Sequence, residues 1–244
     1  MFFYSDKRII YVVLAIFVIM GLMNFGTDKL LSLVLTLPGV IIAITFHEYA
    51  HAFAADKLGD DTPRNQGRLT LNPLSHIDPV GFVLLIFANF GWGKPVQINP
   101  RNFRRDISMS KGEAIVSIAG PVMNFILAIV FSVIYCLVYK FAGVQFIMST
   151  LGYCILLAIQ YTIILNIGLG VFNLLPLPPL DGSKIFKNFM SYNVRNWIEE
   201  HEMIFYYIFL VIWITGLASV IISPVINWIY SGIFNLVALL FGLA

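Results

Sequence analysis

The stretch Thr45-Phe46-His47-Glu48-Tyr49-Ala50-His51 carries two histidines four positions apart, with a glutamate directly after the first. On a helix, positions i and i+4 lie one turn apart on the same face, so both imidazoles can reach one metal ion. Glu48, one position further round, can face a water activated by that ion and take its proton, as in metal-assisted hydrolysis. In a soluble chain such a short pattern recurs by chance. Here it is embedded in an apolar run from about 30 to 56. A charged side chain at the centre of a membrane helix costs about 2.5 to 3.5 kcal/mol. His47 precedes Lys57 by ten residues, which is about 15 Å of helix rise from the polar end of the run. Snorkelling to the rim fits His51 poorly and Glu48 worse. A shared cation would offset the cost.

Catalytic zinc takes three protein ligands and leaves a fourth position for water, so a further donor must come from elsewhere. Asp181 is one candidate, in Asn173-Leu174-Leu175-Pro176-Leu177-Pro178-Pro179-Leu180-Asp181-Gly182. The prolines forbid continuous helix and push the residues before them to extended geometry, which can deliver Asp181 back toward the preceding helices. Gly182 permits a tight turn after the carboxylate. Taken alone, the segment reads equally well as an interfacial loop whose aspartate caps the following helix. His76, in Asn72-Pro73-Leu74-Ser75-His76, is an alternative ligand or oxyanion stabiliser, although its loop position also suits a turn-stabilising role. Asn124 and Asn173 could orient a reacting carbonyl or hydrogen-bond neighbouring helices. His201, among Glu199, Glu200 and Glu202, reads as part of a solvated helix face.

These residues need a membrane scaffold to hold them. Of 244 residues, 59% are hydrophobic and 11% charged, against about 25% charged in a typical soluble domain. Mean hydropathy is +0.86. The composition excludes an ordinary soluble globule, and a net charge of +2 gives no footprint for nucleic acid. Apolar stretches long enough to span a bilayer fall near 9–26, 30–56, 113–139, 150–175, 203–222 and 224–243. The run 9–26 exceeds a signal-peptide core and lacks a small-residue cleavage site, so it reads as a retained anchor. The expected fold is therefore an all-α polytopic membrane protein of about six transmembrane helices. A single domain is expected over 1–244, with a core at approximately 30–190 and a C-terminal helical pair at 203–243. Cys136 and Cys154 lie in apolar runs and offer no disulfide framework.

Thirteen of the Lys and Arg residues fall on one side of this six-span arrangement; only Lys29 and Lys140 fall on the other. The positive-inside rule then puts both termini and the loops 57–112 and 176–202 in the cytoplasm. Within the first loop, short alternating pieces such as Arg68-Leu69-Thr70-Leu71 and Val96-Gln97-Ile98-Asn99 predict a short membrane-associated β element. Val80 to Trp92 is apolar but too short to cross, and is expected to be re-entrant or interfacial on the cytoplasmic side.

HExxH in an apolar helix, then Gly120-Pro121-Val122-Met123-Asn124, then NxxPxPxLDG, together resemble the site-2 protease family of intramembrane zinc metalloproteases. The resemblance covers roughly residues 40 to 190. It implies one zinc per chain held by His47, His51 and Asp181, Glu48 as general base, and the Gly120 region beside the active site. It also implies a transmembrane protein or peptide as substrate, cut in or near its membrane segment, and suggests the plasma membrane of a prokaryote. A zinc transporter is the first rival, but a permeation path needs polar residues through the full bilayer. The first, fifth and sixth predicted spans have no ionisable side chain. A catalytically inactive membrane scaffold is the second rival, against which both motifs and the glutamate are retained.

Overall fold

The structure is a computed structural model that describes residues 26–88 and 91–243. Its principal helices are α1 (Thr27–Lys57), α2 (Pro79–Ala88), α3 (Met109–Phe141), α4 (Thr150–Asn173), α5 (Asp181–Lys187), α6 (Tyr192–Glu200), α7 (Glu202–Ile214) and α8 (Leu217–Leu240). Four of them, α1, α3, α4 and α8, are long and apolar enough to cross a membrane. The predicted span 9–26 lies outside the described residues.

α1, α3 and α4 pack against one another and form the centre, while α8 lies against α3 and α4. Ala128, Ile163 and Ile167 are fully buried where α3 meets α4, and Ile226, Ile229 and Tyr230 of α8 close over them. Much of the remaining apolar surface is exposed, including Ile126, Ile129, Val220 and Trp228. A bundle that leaves such side chains outward is built for lipid rather than water. The chain is an integral membrane protein. α5 docks on α3, which returns the chain to the bundle after the Pro-rich break.

The fifth and sixth spans differ from expectation. The predicted spans 203–222 and 224–243 divide at 223, but α8 begins at Leu217 and runs through Pro224. The break falls at Gly216, whose φ of 73° is left-handed and suits glycine. α7 then has 13 residues, about 20 Å of rise, against a hydrocarbon core of about 30 Å. The C-terminal end of α8 also falls elsewhere than expected. Lys140 Nζ, at the end of α3, donates to the Phe241 carbonyl at 2.7 Å, and Val237 and Ala238 pack on Cys136. That end of the bundle is opposite the loop 58–108, which joins the other ends of α1 and α3.

The expected strands are replaced, among the described residues, by one isolated antiparallel bridge, Ile77 to Gly93. The reason is where the extended segment spends its amides. Val96 N–H donates to Glu48, and Asn99 N–H to Asp60, so no ladder is left to propagate. The bridge joins Ile77 to Gly93, and α2 follows the first of them; the predicted re-entrant piece 80–92 lies partly outside the described residues.

Candidate metal centre

The site is built from matching four-residue repeats on two antiparallel helices. Ala43, His47 and His51 lie along one stripe of α1; Val116, Gly120 and Asn124 lie along the facing stripe of α3. His51 Nδ1 lies 2.7 Å from the Val116 carbonyl, which can only accept, so Nδ1 carries the proton. His47 Nδ1 lies 2.6 Å from Asn124 Oδ1. Asn124 Nδ2 is engaged by the Ala43 carbonyl at 3.2 Å and by Asn166 Oδ1 at 3.0 Å. The oxygen is therefore the end that faces His47, and His47 also donates through Nδ1. Both Nε2 atoms are left as lone pairs.

Those lone pairs converge on a carboxylate. His47 Nε2 and His51 Nε2 are 3.0 Å apart, and Asp181 Oδ2 lies 3.1 Å from the first and 3.0 Å from the second. All three residues are largely buried, with side-chain exposures of 6%, 10% and 15%. Three acceptors packed this closely repel unless they share a cation. A tetrahedral zinc site with ligand bonds of about 2.0 to 2.2 Å has edges of roughly 3.3 to 3.6 Å, so the donor set fits the ion with small adjustments. Among the described residues, this is the one group of His, Cys, Asp or Glu side chains close enough together to hold a metal.

Asp181 is the first residue of α5, and its carboxylate does not cap that helix. It turns instead toward the rings. Gly182 serves close approach rather than a turn: a Cβ there would lie 2.3 Å from the Leu175 carbonyl oxygen. Gly120 is the tightest point of the site. A Cβ on it would lie 2.5 Å from His51 Nε2 and 2.7 Å from His47 Nε2, so only a residue without a side chain lets α3 pass behind the ligand atoms.

Glu48 lies outside the triad. Its Oε2 accepts the Val96 N–H at 3.0 Å, and the Arg68 guanidinium approaches the same oxygen at 4.0 Å. Arg68 is buried and donates to the carbonyls of Ser75 and Lys94. Burial pulls its pKa down and Glu48 partly restores it, yet a guanidinium stays charged at neutral pH. A cavity of about 340 Å³ opens between these parts. Glu48, both histidines, Asp181, Asn173 and Val96 all line it. Asn173, at the end of α4, donates to the Leu169 carbonyl at 3.0 Å.

His76 is not brought to the triad. It is fully buried, with Nε2 donating to the Thr70 carbonyl at 2.7 Å. Burial, with help from the Arg68 charge, lowers its pKa, so it is neutral at pH 7. Arg68 and Asn166 were not singled out by sequence reasoning. An arginine in a polar loop carries no signal of burial; an asparagine in an otherwise apolar span, Asn166, does carry one.

The bundle and its buried His-His-Asp group define a membrane metalloprotease class, and the comparisons give the family. Peptidase family M50 matches residues 35–216; the chain belongs to this family and is a zinc metalloendopeptidase of the site-2 protease type. It is 40% identical over 195 residues to YwhC of Bacillus subtilis, named as a zinc metalloprotease, covering 80% of this chain and 85% of that one. It is 32% identical over 152 residues to Rip2 of Mycolicibacterium smegmatis, also named as a zinc metalloprotease, covering 61% of this chain and 54% of that one. To MJ0611 of Methanocaldococcus jannaschii, of the same description, identity is 25% over 186 residues, covering 76% and 86%. No solved structure matches the chain.

Proposed function

We propose that the chain hydrolyses peptide bonds in or near transmembrane segments of other membrane proteins, with His47, His51 and Asp181 as zinc ligands and Glu48 as general base. The convergence of both histidine Nε2 lone pairs on Asp181 Oδ2 within 3.1 Å carries this reading. When bound, zinc supplies Lewis acidity that brings the pKa of water toward about 7 and polarises a peptide carbonyl. The protein's own part is to hold the reactants and move the proton. Glu48, held by the Val96 N–H and beside Arg68, takes the water proton as the oxygen attacks the carbonyl carbon, and returns it to the leaving nitrogen. Asn173, on the cavity wall, is placed to donate to the substrate carbonyl. The cavity is walled by Gly91, Trp92, Pro95 and Val96, and this wall gates water and substrate from the loop side. A helical substrate must unwind there, since its carbonyls are otherwise hydrogen-bonded.

The loop side is the cytoplasm by the distribution of basic residues. The chain acts as a single membrane unit in a prokaryotic plasma membrane, with its C-terminal end on the opposite face. Transport is disfavoured because the ionisable residues gather at one depth rather than along a path. The test is zinc content and cleavage of a single-pass substrate, measured together for the unmodified chain and Glu48→Gln. Retained zinc with cleavage abolished is expected; full cleavage by purified Glu48→Gln protein would remove Glu48 from the mechanism.

A further inference from the structure

Asn166 sits on α4, fully buried, and does not line the cavity that holds the His-His-Asp group. Its Nδ2 donates to the Thr162 carbonyl at 2.8 Å, and its Oδ1 accepts from Asn124 Nδ2 at 3.0 Å. The Thr162 carbonyl can only accept, so it fixes which way the Asn166 amide faces. The Asn166 oxygen in turn requires the nitrogen end of Asn124, and the Ala43 carbonyl takes the same end at 3.2 Å. Asn124 is left with only its oxygen for His47 Nδ1, 2.6 Å away. Each amide is buried to 0% exposure, so no water competes for these positions.

We propose that Asn166 is a positioning residue that sets the tautomer of His47 through Asn124, so that affinity for the ion at α1 and α5 is controlled from α4. The mechanism is a proton count. With Asn166 in place, the His47 proton sits on Nδ1 and Nε2 is bare. Without it, the Ala43 carbonyl at 3.2 Å is left to hold the nitrogen end, and Asn124 turns its amide over more readily to present N–H to His47. The ring then accepts at Nδ1, and its proton moves to Nε2, where it points at the ligand set and blocks coordination. Metal-ligating histidines commonly have their outer nitrogen fixed by a carboxylate or a backbone carbonyl. A side-chain amide can face either way, so it needs a second partner to hold its sense. Asn166 Oδ1 at 3.0 Å is the closer of two such partners, the Ala43 carbonyl at 3.2 Å being the other. Simple packing of polar side chains between helices would not require a chain of bonds that ends on a metal-facing ring.

This inference rests on the reading of His47 as a ligand, so its test separates the two. Zinc affinity of the full chain in detergent micelles is measured by competition with a chromophoric chelator, for the unmodified protein and for Asn166→Leu, Asn166→Asp, Asn124→Leu, the Asn124→Leu/Asn166→Leu double variant and Ser132→Ala. Asn166→Leu is expected to weaken zinc binding about 10- to 100-fold, the range for loss of an outer-shell partner. Asn166→Asp, as the protonated acid, keeps a carbonyl for Asn124 and an O–H for Thr162, and is expected to bind nearly as tightly as the unmodified chain. The double variant is expected to match Asn124→Leu alone, because Asn166 acts only through Asn124. Ser132, buried on α3 with its hydroxyl on the Ala128 carbonyl, tests generic loss of a buried polar group and should leave affinity unchanged. If Asn166→Leu does not fold, Asn166→Ala carries the same prediction. Unchanged affinity in the folded Asn166 variants, or additive losses in the double variant, would overturn the relay while leaving the ligand assignment standing. Unchanged affinity in His47→Ala would overturn the ligand assignment and the relay with it.

Discussion

Glu48 Oε2 accepts the main-chain N–H of Val96 at 3.0 Å, which ties the carboxylate on α1 to the extended segment on the far wall of the cavity. The bond aims a side chain that would otherwise have free rotation about its long stem. Val96→Pro removes this donor and puts a ring carbon where the N–H pointed, so the carboxylate loses its partner and must move. Cleavage is expected to fall about 10- to 100-fold, the cost of misplacing a reacting group by about an ångström, with zinc content unchanged. Steady-state cleavage rates beside metal analysis check it.

Gly120 faces the ligand nitrogens so closely that a methyl group there would lie within 2.5 to 2.7 Å of both rings. In an ordinary helix interior, Gly→Ala is stabilising by about 0.5 to 1 kcal/mol. Gly120→Ala should therefore keep or raise helical content by circular dichroism while losing tightly held zinc and all cleavage. Normal zinc binding in this variant would mean that α3 does not pass behind the ligands as described.

Much of this site was legible in the sequence for a physical reason. His47, Glu48 and His51 are local to one turn, and their cost in an apolar helix demands a partner, so spacing and hydropathy suffice. Prolines at 176, 178 and 179 mark a break that can return Asp181 to the bundle, and the resemblance to site-2 proteases, rather than the break itself, chose the ligand reading over the capping one. Arg68, Val96 and Asn166 were not legible, because their roles depend on contacts made across the sequence by a carbonyl or an amide that any residue supplies. The strands expected around 68–71 and 96–99 failed for a related reason: alternation predicts extended backbone, but not that Glu48 and Asp60 will take its N–H groups. The division between the spans 203–222 and 224–243 failed because the helix continues through Pro224, as a membrane helix can where its neighbours satisfy the freed carbonyl.

Asp60 holds the loop that leads from the cavity wall to α3. It is fully buried and accepts from the Thr62 hydroxyl at 2.5 Å, the Asn99 N–H at 2.6 Å and the Asn102 amide at 3.0 Å. Burial alone would raise its pKa, but these donors outweigh it and hold the carboxyl below its usual value. A lowered native pKa stabilises above the ordinary carboxylate value of about 3.9, and the gain is lost as pH falls from there through the native value. Asp60→Ala should speed limited proteolysis between residues 97 and 105 at neutral pH. In the unmodified chain, digestion with an acid-active protease should show the same opening only below about pH 4.

The bond from Lys140 to the Phe241 carbonyl makes a prediction about topology. Single cysteines introduced at positions 105 and 243 should react with a membrane-impermeant thiol reagent from opposite faces of the bilayer. Labelling of both from one face would mean that α7 crosses the membrane after all.

The account depends most on Asp181 sharing one ion with His47 and His51, and metal analysis after exhaustive dialysis tests that directly. One zinc per unmodified chain is predicted, with near-complete loss in folded Asp181→Ala protein. Full zinc retention by Asp181→Ala would contradict the shared site and the hydrolytic mechanism built on it.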